Sequence, residues 1–173
     1  MDTFSHGIWG WVVLRRRGAS LARWGVLAGA GPDLAFFLPS LVERIIQRGW
    51  SGAFAGRDPG IWRADGPPLP AELVEAYHRY YVWTHSLVIL GLVTLAVWLL
   101  GRRRWCWLAV PWGLHILMDL PTHERYLTRP FFPLSQWTVH GLAWTDPRIL
   151  WPHLAILVAA VVWTWRATYN RSP

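Results

Sequence analysis

The sequence predicts an all-α, multi-pass membrane helical bundle of about four spans plus a short N-terminal helix, built as one domain over residues 1–173. Three observations carry this. Hydrophobic residues make up 53% of the chain and charged residues 16%, with fifteen tryptophans, a balance foreign to a soluble domain of this length. Apolar runs long enough to cross a bilayer recur between short breaks. Every basic residue among the seventeen is arginine, and the clusters Arg15-Arg16-Arg17 and Arg102-Arg103-Arg104 each adjoin an apolar run. Charge placed in this way flanks spans and does not track a phosphate backbone, so the lipid bilayer is the expected partner and no nucleic-acid partner is expected. The single cysteine, Cys106, excludes a disulfide within the chain.

Residues Thr3 to Leu14 read as a short helix with Thr3 or Ser5 as N-cap and His6 in its first turn. The first arginine cluster closes it, and because that cluster follows the apolar run no cleavable signal peptide is expected. From Leu21 to Val42 the chain is nearly all apolar apart from Arg23 and Asp33, and Gly31-Pro32-Asp33 is expected to break this span in the middle. An acid at the break of a membrane helix lines a site, because charge and free backbone cannot face lipid. Residues Arg48 to Pro70 form a long loop suited to a lid or to substrate contacts. A helix then starts at Pro70-Ala71, with Glu72 and Glu75 near its positive end, and runs without a breaker to Leu100. His78 and His85 lie seven residues apart on it and share a face.

After the second arginine cluster, Trp105 to Leu120 forms the returning span, Pro121 to Pro147 a second irregular segment, and Ile149 to Trp165 the last span. The arginines before the second helix, those of the tight turn, and Arg166 and Arg171 then fall on one side, which the positive-inside rule makes cytoplasmic. The two long loops face outward. Tryptophans at span ends, such as Trp83, Trp105 and Trp163, form an interfacial belt. His140 and His153 are taken as structural, and Ser86 as a hydrogen-bonding neighbour of His85. Arg79 and Arg125 are placed to meet a phosphate or a lipid headgroup.

The chemistry concentrates in Trp112 to His123, where His115, Asp119 and His123 recur every four residues. On a helix three such side chains fall within roughly 80° of one face, among the apolar residues Leu114, Ile116, Leu117, Met118 and Leu120. Any one of them alone has an ordinary place as a hydrogen-bonded core residue. Pro121 disfavours helix at Leu120, so the direction of His123 is left open and His115/Asp119 is the firm pair. The candidate metal ligands are His6, Asp33, His85, His115, Asp119 and His123, with His78 as an outer partner or alternative ligand. Imidazole and carboxylate without thiolate suit Zn²⁺, with Mn²⁺ as the harder alternative, and one or two ions fit such a set. Asp119 is the natural bridge between two. Paired ions serve phosphoester hydrolysis best, and no His-Glu-x-x-His is present to support an amidase.

Gly31-Pro32-Asp33, Thr84-His85-Ser86, His115-x-x-x-Asp119 and Thr122-His123 are followed by Pro130-Phe131-Phe132-Pro133-Leu134-Ser135 and Gly141-x-x-Trp144. In that order they resemble a family of bacterial inner-membrane proteins described as membrane-bound metal-dependent hydrolases, also labelled LexA-binding, inner-membrane-associated hydrolases. That family is in turn distantly similar to the zinc-dependent phospholipases C and the fungal single-strand nucleases. The resemblance covers most of the chain from His6 to Trp144. It implies Asp33, His85, His115 and Asp119 as ligands of a first ion, and His6 with the bridging Asp119 for a second. It also implies the bacterial cytoplasmic membrane as location. Two departures stand against the more distant enzymes: the step from Asp119 to the next histidine is shorter, and no His-x-x-x-Glu completes a third metal position.

The function expected from the sequence is hydrolysis of a phosphoester, with a phospholipid or lipid-linked phosphate as substrate. Hydroxide attacks phosphorus, Asp119 bridges, and His123 or His78 moves the proton, which makes Asp119, His123 and His78 the catalytic set. The alternatives are a proton- or metal-coupled membrane transporter and a non-catalytic membrane scaffold with a structural metal.

Overall fold

The structure, a computed structural model, describes residues 2–54, 71–124 and 127–169. Those residues are helical without strands. Of the long loop expected from Arg48 to Pro70, residues 48–54 are instead helical, the end of a helix running from Ala19 to Phe54, and residues 55–70 lie outside the described residues, as do Arg125 and Arg171.

Helix α1 (Thr3–Leu14) is capped by Asp2, whose carboxylate accepts from the Ser5 backbone N–H at 2.9 Å. Thr3, an expected cap, is used elsewhere. A 3₁₀ turn over Arg15–Arg17 leads through Gly18 into α2 (Ala19–Phe54). The two helices pack backbone to backbone: a Cβ on Gly10 would stand 2.0 Å from the Gly25 carbonyl oxygen, and one on Gly29 would stand 2.3 Å from that of His6. Glycine is the residue that permits this approach, the usual device of helices that associate in lipid. Helix α2 contains Pro32 and Pro39 yet continues past both, and its irregular residue is Gly49 at φ 71°. The expected break at Gly31-Pro32-Asp33 is therefore absent. A proline removes one ladder hydrogen bond, and the close packing along this stretch of α2 holds the helix together across it.

The break falls instead in the helix expected to run from Ala71 to Leu100. It comprises α3 (Ala71–Ala76), a π turn over Tyr77–Tyr81, α4 (Val82–Thr84) and, after His85 and Ser86, α5 (Leu87–Leu99). Ser86 causes it. Its hydroxyl accepts from the N–H groups of Val88 and Ile89 as N-cap of α5 and donates to the Phe132 carbonyl.

A 3₁₀ turn over Arg103–Leu108 leads into α6 (Ala109–Asp119), and α7 (Pro147–Tyr169) follows the irregular segment, with Asp146 bonding the Arg148 N–H at its start. Helices α1 and α7 run in one direction and α2 and α6 in the other. Both arginine clusters consequently meet at one end, where Arg17 lies 3.5 Å over the Trp107 ring and Arg16 4.1 Å over Trp163.

Among the described residues two helices are long and apolar enough to cross a membrane, Ala19–Gly52 and Pro147–Thr168, and a third if Val74–Thr84 and Leu87–Leu99, bent by 46°, count as one span. Only 11% of the apolar window of α7 is buried, so its outer face calls for an apolar surrounding. The expected count of about four is not confirmed. The stretch read as a span from Trp105 to Leu120 begins in a 3₁₀ turn, and its α-helical part has eleven residues, roughly 17 Å, short of the roughly 30 Å of a bilayer core.

Candidate metal centre

Three helices and one break bring the site together. His115 and Asp119 come from one face of α6, Asp33 from α2, His6 from α1, and His85 from the residue where α4 ends. His6, Asp33, His85, His115 and Asp119 are all buried, and among the described residues the other buried polar side chains are uncharged hydroxyls: Ser5, Ser40, Ser86, Thr122, Thr128 and Thr164.

The central contact is between imidazoles: His85 Nε2 and His115 Nε2 are 2.8 Å apart. Their other nitrogens settle the tautomers. His85 Nδ1 is 3.0 Å from the Tyr81 carbonyl and His115 Nδ1 is 2.7 Å from that of Gly29. A carbonyl only accepts, so each Nδ1 carries the proton and each neutral ring is left with a bare lone pair on Nε2. Two such lone pairs at this distance repel unless a cation lies between them. Asp119 Oδ2 is 3.4 Å from both nitrogens and Asp33 Oδ1 is 3.7 Å from both. The four ligand atoms lie within 4.8 Å of one another. A tetrahedral ion with bonds of 2.0–2.1 Å has ligands roughly 3.3 Å apart, so these separations need only small movements to close on one. A proton alone would satisfy the imidazoles but not two buried carboxylates, whereas a divalent cation balances both charges. The donor set fits a metal ion.

The surroundings orient each ligand. Asp33 Oδ2 accepts from the Thr3 hydroxyl at 2.7 Å, which aims Oδ1 at the histidines. Tyr81 stacks on His85 with ring centres 3.6 Å apart and planes 13° from parallel. The Trp112 indole donates to the Thr84 carbonyl at 2.7 Å and pins the residue before His85.

The second oxygen of Asp119 faces another pair. Oδ1 is 3.0 Å from His6 Nε2 and 3.8 Å from His123 Nδ1. His6 Nδ1 is buried without a hydrogen-bond partner, and burial holds the pKa of this ring, on a helix too short to span, down to about 4. His123 directs Nδ1 at the Asp119 carbonyl, 3.0 Å away, leaving Nε2 as the nitrogen without that bond. With 18% of its side chain accessible, His123 is the most exposed member of the set.

His78 is not brought to the cluster. It is exposed, with its ring against Tyr77, because the π turn adds a residue to the helical repeat and the break at His85 ends the shared face. Arg79 is likewise engaged by Glu43 and Glu75 on an exposed surface. His140 is exposed and His153 packs near Trp9, 6.3 Å between ring centres. Thr3, Tyr81 and the Gly29 carbonyl were not anticipated. Tyr81 stands one helical turn before His85, and Gly25-x-x-x-Gly29 is a small-residue packing pattern, so both left a signal in the sequence.

No family model, curated protein or solved structure matches this chain.

Proposed function

We propose that the protein is a metal-dependent hydrolase of a phosphoester carried by a membrane lipid, acting in the bacterial cytoplasmic membrane. The observation that carries this is Asp119, whose two oxygens face two separate sets of imidazole nitrogens. A carboxylate so placed suits a bridge between two ions, with Asp33, His85 and His115 on one side and His6 on the other. Zinc is the first choice for the donor set and manganese the second. Bound ions supply Lewis acidity and acidify water, which phosphoester hydrolysis requires. The chain's own residues do the rest. Asp33 and Asp119 contribute negative charge that retains the cations, Thr3 and Gly29 fix the ligand orientations, and the enclosing α1, α2 and α6 exclude bulk water. His123, partly exposed and oriented by the Asp119 carbonyl, can hold and move a proton at Nε2. Apolar helices around the cluster suit an amphiphilic substrate, and the resemblance to membrane-bound metal-dependent hydrolases points the same way.

The test is metal content and hydrolysis of a panel of phosphoester lipids by detergent-purified protein. Turnover that follows bound metal and disappears in His115→Ala supports the proposal. Tightly held metal with no turnover on any phosphoester overturns it.

Transport of protons or metal ions is the second proposal, favoured by the irregular backbone at His85–Ser86 beside buried charge. Ion flux into liposomes, lost in Asp33→Asn, distinguishes it.

A further inference from the structure

Between α2, α5 and α6 lies a cavity of about 390 Å³ that the metal cluster does not use. Along α2 it extends from Trp24 to Ala35, roughly 16 Å of helix, and it passes Val93 and Val97 of α5. The α2 face that lines it carries Trp24, Ala28, Gly31 and Ala35, about a third of a turn away from the face carrying Gly25, Gly29 and Asp33. Its few polar side chains are occupied by backbone carbonyls. Thr84 donates to Pro32, Tyr80 or Tyr81, Thr94 to Leu90, Cys106 to Thr94, and the Trp112 indole to Thr84. The cavity therefore offers a slot of hydrocarbon.

One end of the slot is closed by Trp105, Cys106 and Leu108, in the turn that carries Arg103 and Arg104 and follows Arg102. These three arginines are exposed, and Arg17, stacked on Trp107, joins them. Among the described residues no carboxylate lies within ion-pairing distance of the four. Among the described residues the carboxylates sit in the cluster or toward the opposite end: Asp2 and Asp146 before α1 and α7, Glu124 after α6, and Glu43 and Glu75 paired with Arg79.

We propose that the slot holds one acyl chain of an anionic phospholipid whose phosphate rests against Arg102, Arg103, Arg104 and Arg17. The lining selects the chain and the unpaired guanidinium groups select the negative headgroup. This site borders the metal cluster at Pro32, Thr84 and Trp112 but contains none of its candidate ligands.

The experiment is native mass spectrometry of the full chain in detergent, stripped of lipid and titrated with phosphatidylglycerol or phosphatidylcholine of the same chain length. The first phosphatidylglycerol is expected to bind roughly tenfold tighter than the first phosphatidylcholine. Ala35→Trp, at an exposed position on α2, is expected to abolish the first adduct of both lipids. The triple change Arg102→Gln, Arg103→Gln, Arg104→Gln is expected to remove the preference and leave phosphatidylcholine binding unchanged. Helical circular dichroism checks that both variants fold. Equal binding of the two lipids by the wild type overturns the proposal, as does an undiminished first adduct in Ala35→Trp. A lipid-free dimer that phosphatidylglycerol fails to dissociate also overturns it, by placing a second copy of the chain in the slot.

Discussion

The carbonyl of Gly29 accepts the Nδ1–H of His115 at 2.7 Å, and the missing side chain of the same glycine lets the backbone of His6 come within contact of α2. One residue without a side chain thus orients one ligand and admits another.

Gly29→Ala puts a methyl group 2.3 Å from the His6 carbonyl oxygen and must push α1 outward. The expected cost is about 1–3 kcal/mol, with reduced metal content. Gly31→Ala, whose new Cβ meets nothing within 4 Å, is expected to keep both or gain stability from helix propensity. Thermal unfolding and metal analysis of the two proteins side by side check this. Equal behaviour would remove the glycine contact as the reason for His6's position.

The two faces of Asp119 predict an asymmetric response to ligand loss. His85→Ala and His115→Ala should strip the four-residue set and leave almost no metal, whereas His6→Ala should retain one ion per chain. Asp119→Asn, which keeps the shape and removes the charge, should lose both. His78→Ala should match the wild type, because that side chain is exposed away from the cluster. Plasma mass spectrometry reads all five, and a His6 variant devoid of metal would rule out a separable second position.

Thr3→Val deletes the hydroxyl that donates to Asp33 at 2.7 Å and keeps the side-chain volume. Metal affinity is expected to fall by roughly 10-fold, the low end for a hydrogen bond to a ligand. Competition with a fluorescent chelator measures it, and an unchanged affinity would mean that Asp33 needs no help to aim Oδ1.

Removal of the metal should loosen the fold itself, since it leaves two lone pairs 2.8 Å apart beside two buried carboxylates. At an ion concentration of roughly 100 times the dissociation constant the bound form gains roughly 2.7 kcal/mol. Thermal midpoints with chelator and after zinc is restored should differ accordingly. Identical midpoints would mean that the cluster is held without a cation.

The helical class and the identities of Asp33, His85, His115 and Asp119 were legible because apolar periodicity and residue type are local signals. His115 and Asp119 sit four apart on α6 and converge on one face as the spacing requires. The breaks were less legible. Pro32 looked like one and is not, because tertiary packing sustains α2 across it. Ser86 looked harmless and makes one, because its capping partners include a carbonyl 46 residues away. The same limit applies to His78: a π turn cannot be counted from spacing, and one added residue moves a side chain about a quarter turn off its expected face. The count of about four spans is not confirmed, because part of one apolar stretch is coiled into a 3₁₀ turn, which hydropathy does not distinguish from α-helix.

The unpaired arginines gathered at one end also make the molecule electrically lopsided. Its bundle carries Arg15–Arg17 and Arg102–Arg104 at one end without a carboxylate partner among the described residues, whereas at the other end Arg79 and Arg148 are paired with Glu43, Glu75 and Asp146. Across an energised membrane each charge carried through the field is worth roughly 2.3 kcal/mol per 100 mV. In such a membrane the voltage would therefore act mainly on the arginine end, drawing it to the negative side and opposing inversion of the helices. A de-energised membrane would relax that constraint, leaving surface charge and tryptophan anchoring to hold the orientation.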